Sequence, residues 1–243
     1  MIEPTYTKEI IPEYDCFDRY DRILPAKVLE MFQDISGAHA EKIGCGYRAA
    51  LSRGGIWIVV RSHLDIWEEP KEGEPLTIKT RVKKPLGLSF IREYEIRRNS
   101  DSRLIISGQA TWCLADCQTR KLTRLNGLPY PDTYEEEQLY PKPLTAIHPF
   151  TGELNTAFTK TIRFTDIDHN GHMNNCRYAD LVMDAIAPER DRALKSFEID
   201  FESECYQGET IDIQIGRYDS QQFFVQGVKS SGKNSFRALA TFF

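Results

Sequence analysis

The order of structural signals along this chain runs once to about residue 126 and then begins again, and this repetition restricts the possible folds more than any other feature. The segment Glu72-Gly73-Glu74-Pro75-Leu76-Thr77-Ile78 resembles Gln207-Gly208-Glu209-Thr210-Ile211-Asp212-Ile213, and at the same offset Glu69 falls opposite Glu204 and Ile66 opposite Phe201. Each half reads as strand, helix, then several strands, so an internal duplication is expected.

In the first half, Tyr6–Pro12 reads as extended. A helix begins at Pro25, with Val28, Leu29, Phe32 and Ile35 at helical spacing and Gly44 and Gly46 just past its end. Four runs rich in Ile, Val, Thr, Trp and Phe follow: Ile56–Trp67, Leu76–Val82, Leu88–Ile96 and Leu104–Leu114. Pro70 with Gly73, Pro85 with Gly87, and Asn99-Ser100-Asp101-Ser102 separate them.

From Asn126 to Asn155 the character changes: five prolines (Pro129, Pro131, Pro141, Pro143, Pro149) and the run Glu135-Glu136-Glu137 predict a connector draped over the surface. The pattern then restarts. Phe158–Phe164 reads as a strand, Asn174 and Asn175 as a helix cap, and Tyr178, Leu181, Val182, Ala185 and Ile186 as one helical face ending at Pro188. Strands are expected over Ser196–Phe201, Thr210–Ile215, Phe223–Val228 and Phe236–Phe243. The fold class is therefore α+β: a unit over residues 1–126, a crossing connector over 127–156, and a second unit over 157–243. A sheet wrapped on one helix leaves an open edge, and pairing two such units hides it.

The formal net charge of -5 argues against nucleic acid as the main partner. Basic clusters at Arg81, Lys83 and Lys84, or Arg92, Arg97 and Arg98, could dock an acidic protein, or could simply be solvated strand faces. No apolar run approaches the ~20 residues of a membrane span. The segment Met1-Ile2-Glu3-Pro4-Thr5-Tyr6 reads as neither a signal nor a transit peptide, so a cytoplasmic location is expected. The six cysteines (Cys16, Cys45, Cys113, Cys117, Cys176, Cys205) then read as free thiols. Cys113 and Cys117 have no second pair to complete a zinc site, and no metal or cofactor is expected.

The chemistry concentrates in Thr165-Asp166-Ile167-Asp168-His169-Asn170-Gly171-His172-Met173-Asn174-Asn175, between a strand and a helix start. A helix N-terminus offers unpaired N–H groups and the positive dipole end, where an oxyanion is stabilised. His, carboxylate and amide within a few residues supply a base, an orienter and a donor. A polar capping loop accounts for the same composition.

Asp166-Ile167-Asp168-His169-Asn170-Gly171-His172-Met173-Asn174-Asn175 resembles the D-x-D-x-N-x-H-x-N-N signature of the acyl-acyl-carrier-protein thioesterases. Ile56-Trp57-Ile58-Val59-Val60-Arg61 is similar to that family's I-W-V-V-T-R strand, and Trp112 through Thr119-Arg120-Lys121-Leu122 to its W-x-x-x-x-x-x-T-R-R-L stretch. Ser203-Glu204-Cys205 stands where the family carries R-E-C, so its arginine is replaced by Ser203.

The resemblance implies a double hotdog fold. It also implies hydrolysis of the thioester between a fatty acyl chain and the phosphopantetheine of acyl carrier protein. It carries the catalytic roles onto Asp168, Asn170, His172 and Glu204. Asp168 and Glu204 would then activate a water held with Asn170, while His172 and helix-start N–H groups polarise the carbonyl.

Asn174, Asn175, Trp57 and Phe32 are substrate-binding candidates, with Met31 and Ile35 beside them, although core packing explains the apolar ones equally well. Cys205 is a rival nucleophile, but an adjacent carboxylate raises rather than lowers a thiol pKa. His39 and His63 read as structural. The first unit carries Leu24-Pro25-Ala26 before its helix in place of the signature, so one active site per chain is expected. A coenzyme A thioesterase, a dehydratase and a non-catalytic acyl-binding module remain as alternatives. The fused repeat allows a monomer as well as a homodimer.

Overall fold

The computed structural model describes residues 2–124 and 127–243. The first unit consists of β1 (Thr5–Ile10), α1 (Pro25–Lys42), a short α2 (Tyr47–Leu51), β2 (Gly55–Ile66), β3 (Leu76–Val82), β4 (Ser89–Arg98) and β5 (Leu104–Asp116). The second consists of β6 (Asn155–Thr161), α3 (Asn175–Ile186), β7 (Leu194–Phe201), β8 (Thr210–Arg217), β9 (Gln222–Lys229) and β10 (Asn234–Phe242).

Two elements depart from expectation. The helix α2 was not foreseen; at five residues it carries too little periodicity to read. The strand expected over Phe158–Phe164 stops at Thr161, and Phe164–Asp166 form a 3-10 turn. The Asp166 carboxylate accepts from the Arg163 N–H at 2.7 Å, and that local bond competes with strand pairing.

All ten strands form one sheet in the order β1-β3-β4-β5-β2-β7-β10-β9-β8-β6. Read inward from either edge, the two halves have the same order, so the duplication is structural. They join through antiparallel pairing of β2 and β7, from Arg61 opposite Asp200 to Asp65 opposite Ser196. Each unit thereby loses one exposed edge. With α1 and α3 packed on the inner face, this is a double hotdog.

Pro25 opens α1 and Val28, Leu29, Phe32 and Ile35 are buried along it. Phe32 stacks on Tyr94 with ring centroids 4.2 Å apart. Gly108 makes room for it, since a Cβ there would lie 2.2 Å from the ring. Phe32 is thus a core side chain.

The connector is more than a surface drape, because it is strapped across five strands, β3, β4, β5, β2 and β7. The N–H groups of Leu139 and Tyr140 donate to the Glu93 carboxylate (3.2 and 3.3 Å), Leu144 N–H to Gln109 (2.9 Å), and Ile147 N–H to Asp200 (2.7 Å). Glu93 lies opposite Gln109, Gln109 opposite His63, and His63 opposite Glu198, so polar groups cross the sheet in one row. The proline-rich chain supplies the donors that this row of acceptors needs once it is buried.

The same packing disposes of the basic clusters. Arg81 is buried against Glu95 and bonds Glu137, Lys79 meets Glu135, and Arg98 pairs with Glu68 and Glu74. Arg81 and Arg98 are thus engaged in ion pairs, while Lys84 stays exposed.

Candidate active site

The loop before α3 is shaped by short local bonds. Asp168 Oδ1 accepts from the Asn170 N–H at 2.8 Å, and the Gly171 N–H reaches the Asp168 carbonyl at 3.0 Å. Gly171 has φ 82°, a left-handed conformation that glycine takes without strain. The Asp168 N–H then closes on the His172 carbonyl at 3.0 Å. Asn174 caps α3 as expected, its Oδ1 accepting from the Cys176 N–H at 2.8 Å, and the Asn174 carbonyl takes the Arg177 N–H. Those two first-turn donors are therefore already engaged by the cap.

The second strand of the site enters by backbone pairing. The Met173 N–H donates to the Cys205 carbonyl at 2.8 Å, which lays the segment after β7 alongside the loop. Glu204 Oε1 then stands 3.6 Å from His172 Nε2. The opposite ring nitrogen, Nδ1, lies 3.2 Å from the Met173 carbonyl. A carbonyl oxygen only accepts, so Nδ1 carries a proton, and the other ring nitrogen, Nε2, is the one beside Glu204. Asp168 and Asn170 share the wall, with Asn170 Nδ2 at 3.5 Å from Asp168 Oδ2.

Two further groups hold the Glu204 carboxylate. The Tyr206 hydroxyl donates to Oε2 at 2.6 Å, and the Arg120 guanidinium lies 3.4 Å from Oε1. Neither was picked out as a site residue from sequence. Arg120 sits in the Thr119-Arg120-Lys121-Leu122 stretch already noted, where Asp116 folds the chain into a tight turn by accepting from the Gln118 and Thr119 N–H groups. The first unit thus contributes a charge to a site whose other polar groups belong to the second.

Arg120, Glu204 and the loop residues line a cavity of about 520 Å³. Asp168, Asn170, His172, Asn174, Asn175 and Glu204 form its polar end. Trp57, Ile58, Phe90 and Trp112 of the first unit form apolar wall, with Tyr130 of the connector. Trp57 is fixed by its indole N–H, which donates to the Cys45 carbonyl at 2.7 Å, and by edge contact with Phe90. Of the ten candidate residues, seven line this cavity, and Met31 and Ile35 are not among them. Phe32 does not line it either, because its side chain turns into the core; its helical neighbours Gln33, Ser36 and Gly37 face the cavity instead. Cys205 is fully buried and not part of the lining, and burial raises its thiol pKa. That environment is the reverse of a nucleophile's. Among the described residues, no group of three or more His, Cys, Asp or Glu is placed to share a metal ion.

The first unit carries a copy of the loop. Asp18 Oδ1 accepts from the Tyr20 and Arg22 N–H groups at 2.7 and 3.1 Å, and the Asp18 N–H closes on the Arg22 carbonyl, as Asp168 closes on His172. Arg22 stands in the histidine's place. Its guanidinium is spent on the carbonyls of Glu189 and Arg192, just beyond α3. Glu69, the counterpart of Glu204, accepts from the Ile23 N–H at 3.0 Å. Because α3 has 12 residues against 18 in α1, the chain after it folds back over this position. The copy has the loop but carries Tyr20 and Arg22 where the second unit has the amide and the histidine.

The family model for the acyl-ACP thioesterase N-terminal domain matches residues 3–127, and that for the C-terminal domain matches residues 153–242. The chain belongs to the acyl-ACP thioesterase family. A chloroplastic oleoyl-acyl carrier protein thioesterase of Coriandrum sativum is 22% identical over 237 residues, 88% of this chain and 62% of that protein. The chain therefore spans less than two thirds of this plant relative. Among solved structures, an acyl-ACP thioesterase from Bacteroides thetaiotaomicron superposes with a TM-score of 0.89 at 21% identity, covering 99% of this chain and 98% of the other. A 12:0-ACP thioesterase from Umbellularia californica gives 0.83 at 16% identity, covering 100% and 98%. At such identities these two likenesses establish the fold. No helix among the described residues is long and apolar enough to cross a membrane.

Proposed function

We propose that this family member hydrolyses the thioester of fatty acyl-acyl carrier protein, releasing a free fatty acid in fatty acid biosynthesis. The observation that carries the reading is the meeting of Glu204 and His172 at 3.6 Å on the polar end of an otherwise largely apolar cavity. An acyl chain fits the apolar part, and the phosphopantetheine arm brings the carbonyl to the polar end.

The tautomer of His172 refines the roles. With Nδ1–H held by the Met173 carbonyl, Nε2 is the acceptor that takes a proton from the attacking water. Glu204, beside the same Nε2, then stabilises the imidazolium by its charge. Asp168 accepts a hydrogen bond from the same water, and the Asn170 amide donates to the developing oxyanion. The new C–O bond forms as the carbonyl π pair moves to oxygen. On collapse the C–S bond breaks, and Nε2–H protonates the departing sulfur. The products are a carboxylic acid and the pantetheine thiol. The engaged N–H groups of Cys176 and Arg177 take no part.

The test is thiol release from a panel of acyl-acyl carrier proteins by the purified chain, with His172→Ala, Asp168→Ala and Glu204→Ala beside it. His172→Ala should lose roughly 10²–10⁴ in kcat, and the two carboxylate variants should fall clearly below wild type. Near-normal turnover by His172→Ala, or by both carboxylate variants, would overturn the assignment. The acyl carrier protein and coenzyme A forms of one acyl chain, assayed together, decide the carrier. Tight fatty acid binding with no thiol release from any substrate would instead identify a non-catalytic acyl-binding module.

A further inference from the structure

We infer that the far wall of the cavity is a polar subsite, centred on Arg92, that reads an oxygen atom carried by the acyl chain. The inference rests on the hydrolytic reading above and specifies its substrate class.

Arg92 lies on β4, is only 7% exposed, and lines the cavity. Its Nη1 donates to Thr80 Oγ1 at 3.2 Å and to His39 Nδ1 at 2.9 Å. His39 Nε2 lies 3.0 Å from the Glu3 carbonyl, so Nε2 carries the proton and Nδ1 is the acceptor of a neutral ring. Burial, and then the Arg92 charge, pull the His39 pKa down to about 4, which keeps it neutral. The thiol of Cys45 and the hydroxyl of Tyr130, on the same cavity, are pushed up by burial, Cys45 to about 11.

Both hydrogen-bond partners of this guanidinium are thus uncharged. Among the described residues no Asp or Glu stands within ion-pair distance of Arg92, whereas Arg61, Arg81, Arg98 and Arg237 on the same sheet each face a carboxylate. A cation held away from water without a counter-charge is costly, and two bonds to neutral groups offset only part of that cost. A saturated hydrocarbon tail would seal the charge further and offer it nothing. A tail bearing a hydroxyl, oxo or carboxylate oxygen supplies the missing acceptor.

The dimensions suit a medium-length chain. Glu204 follows β7, and β7, β2, β5 and β4 are successive neighbours. Three inter-strand steps span roughly 14 Å across the sheet, about the reach of an extended dodecanoyl chain.

The experiment compares dodecanoyl, ω-hydroxydodecanoyl and ω-carboxyundecanoyl thioesters of acyl carrier protein as substrates of the wild-type chain, Arg92→Met and Arg92→Lys. Wild type should favour at least one oxygenated substrate by roughly tenfold to a hundredfold in kcat/KM. Arg92→Met should bring that ratio near one, and Arg92→Lys should retain part of it. The arms distinguish hydroxyl from carboxylate recognition. A binding arm runs in parallel on wild type alone: free ω-hydroxydodecanoic or dodecanedioic acid should raise Tm more than dodecanoic acid does. That arm reads the subsite even if no thioester is hydrolysed, and it is unaffected if Arg92→Met fails to fold. Preference of wild type for the plain chain in both turnover and Tm shift would overturn the inference.

Discussion

His63 sits where the two units join, on β2 directly opposite Glu198 of β7. Its Nε2 meets Asp65 at 3.0 Å and its Nδ1 lies 3.6 Å from Glu198, while Tyr140 of the connector donates its hydroxyl to the same Asp65 at 2.8 Å. Burial pulls the His63 pKa down, but the two carboxylates outweigh it and raise it to about 9. An unfolded histidine titrates near 6.5, so the ring is charged in the folded chain over a range where it is neutral when unfolded. The gap corresponds to about 3 kcal/mol. Because the folded pKa is the higher one, this stabilisation is fully present below about pH 6.5 and disappears as pH rises through about 9. Urea unfolding of the wild-type chain and His63→Gln, followed by intrinsic fluorescence between about pH 6 and pH 9.5, measures it. Wild type should lose about 3 kcal/mol more than the variant across that interval, since other groups titrate alike in both. Equal losses would refute the idea that a charged His63 clasps the seam.

Further predictions concern the site. Arg120→Gln removes a half-exposed cation from beside Glu204, so kcat should fall roughly tenfold in low salt and the unfolding midpoint should move little. Cys205→Ser should keep kcat within a few-fold while losing about 1 kcal/mol of stability, since a buried thiol is exchanged for a hydroxyl; loss of all turnover in a folded variant would restore the thiol as nucleophile. Gly37 lies in α1 on the cavity wall, and a Cβ there meets no atom within 4 Å. Gly37→Ala should therefore raise stability by about 0.5–1 kcal/mol, read from the urea midpoint. Gly37→Phe should occupy cavity volume and shift the preferred acyl chain in the substrate panel toward shorter lengths.

The periodic features of the sequence were sufficient for the two units. Apolar residues at helical spacing after Pro25 and around Tyr178, the turn residues between β-rich runs, and the restart after the proline-rich stretch all depend on neighbours within a turn or a hairpin. The Asp168-to-Asn175 loop was legible for the same reason, because its bonds, cap and tight turn are local. Element ends that depend on competition between local bonds, such as Asp166 against the end of β6, were not legible, and neither was a helix as short as α2.

What depended on distant chain meeting distant chain came from the tertiary structure alone. No spacing indicates that Arg120 approaches Glu204 across the boundary between units, that Phe32 turns into the core against Gly108 while Gly37 faces the cavity, or that Arg92 is buried without a carboxylate. Nor does any local pattern show that Arg22 occupies the histidine's place in the first unit's copy of the loop and ties itself to carbonyls beyond α3. Hydrophobic period fixes which face of an element is buried. The packing of two unequal helices under one sheet fixes which side chains share a cavity, since close-packed interiors admit only one arrangement of neighbours.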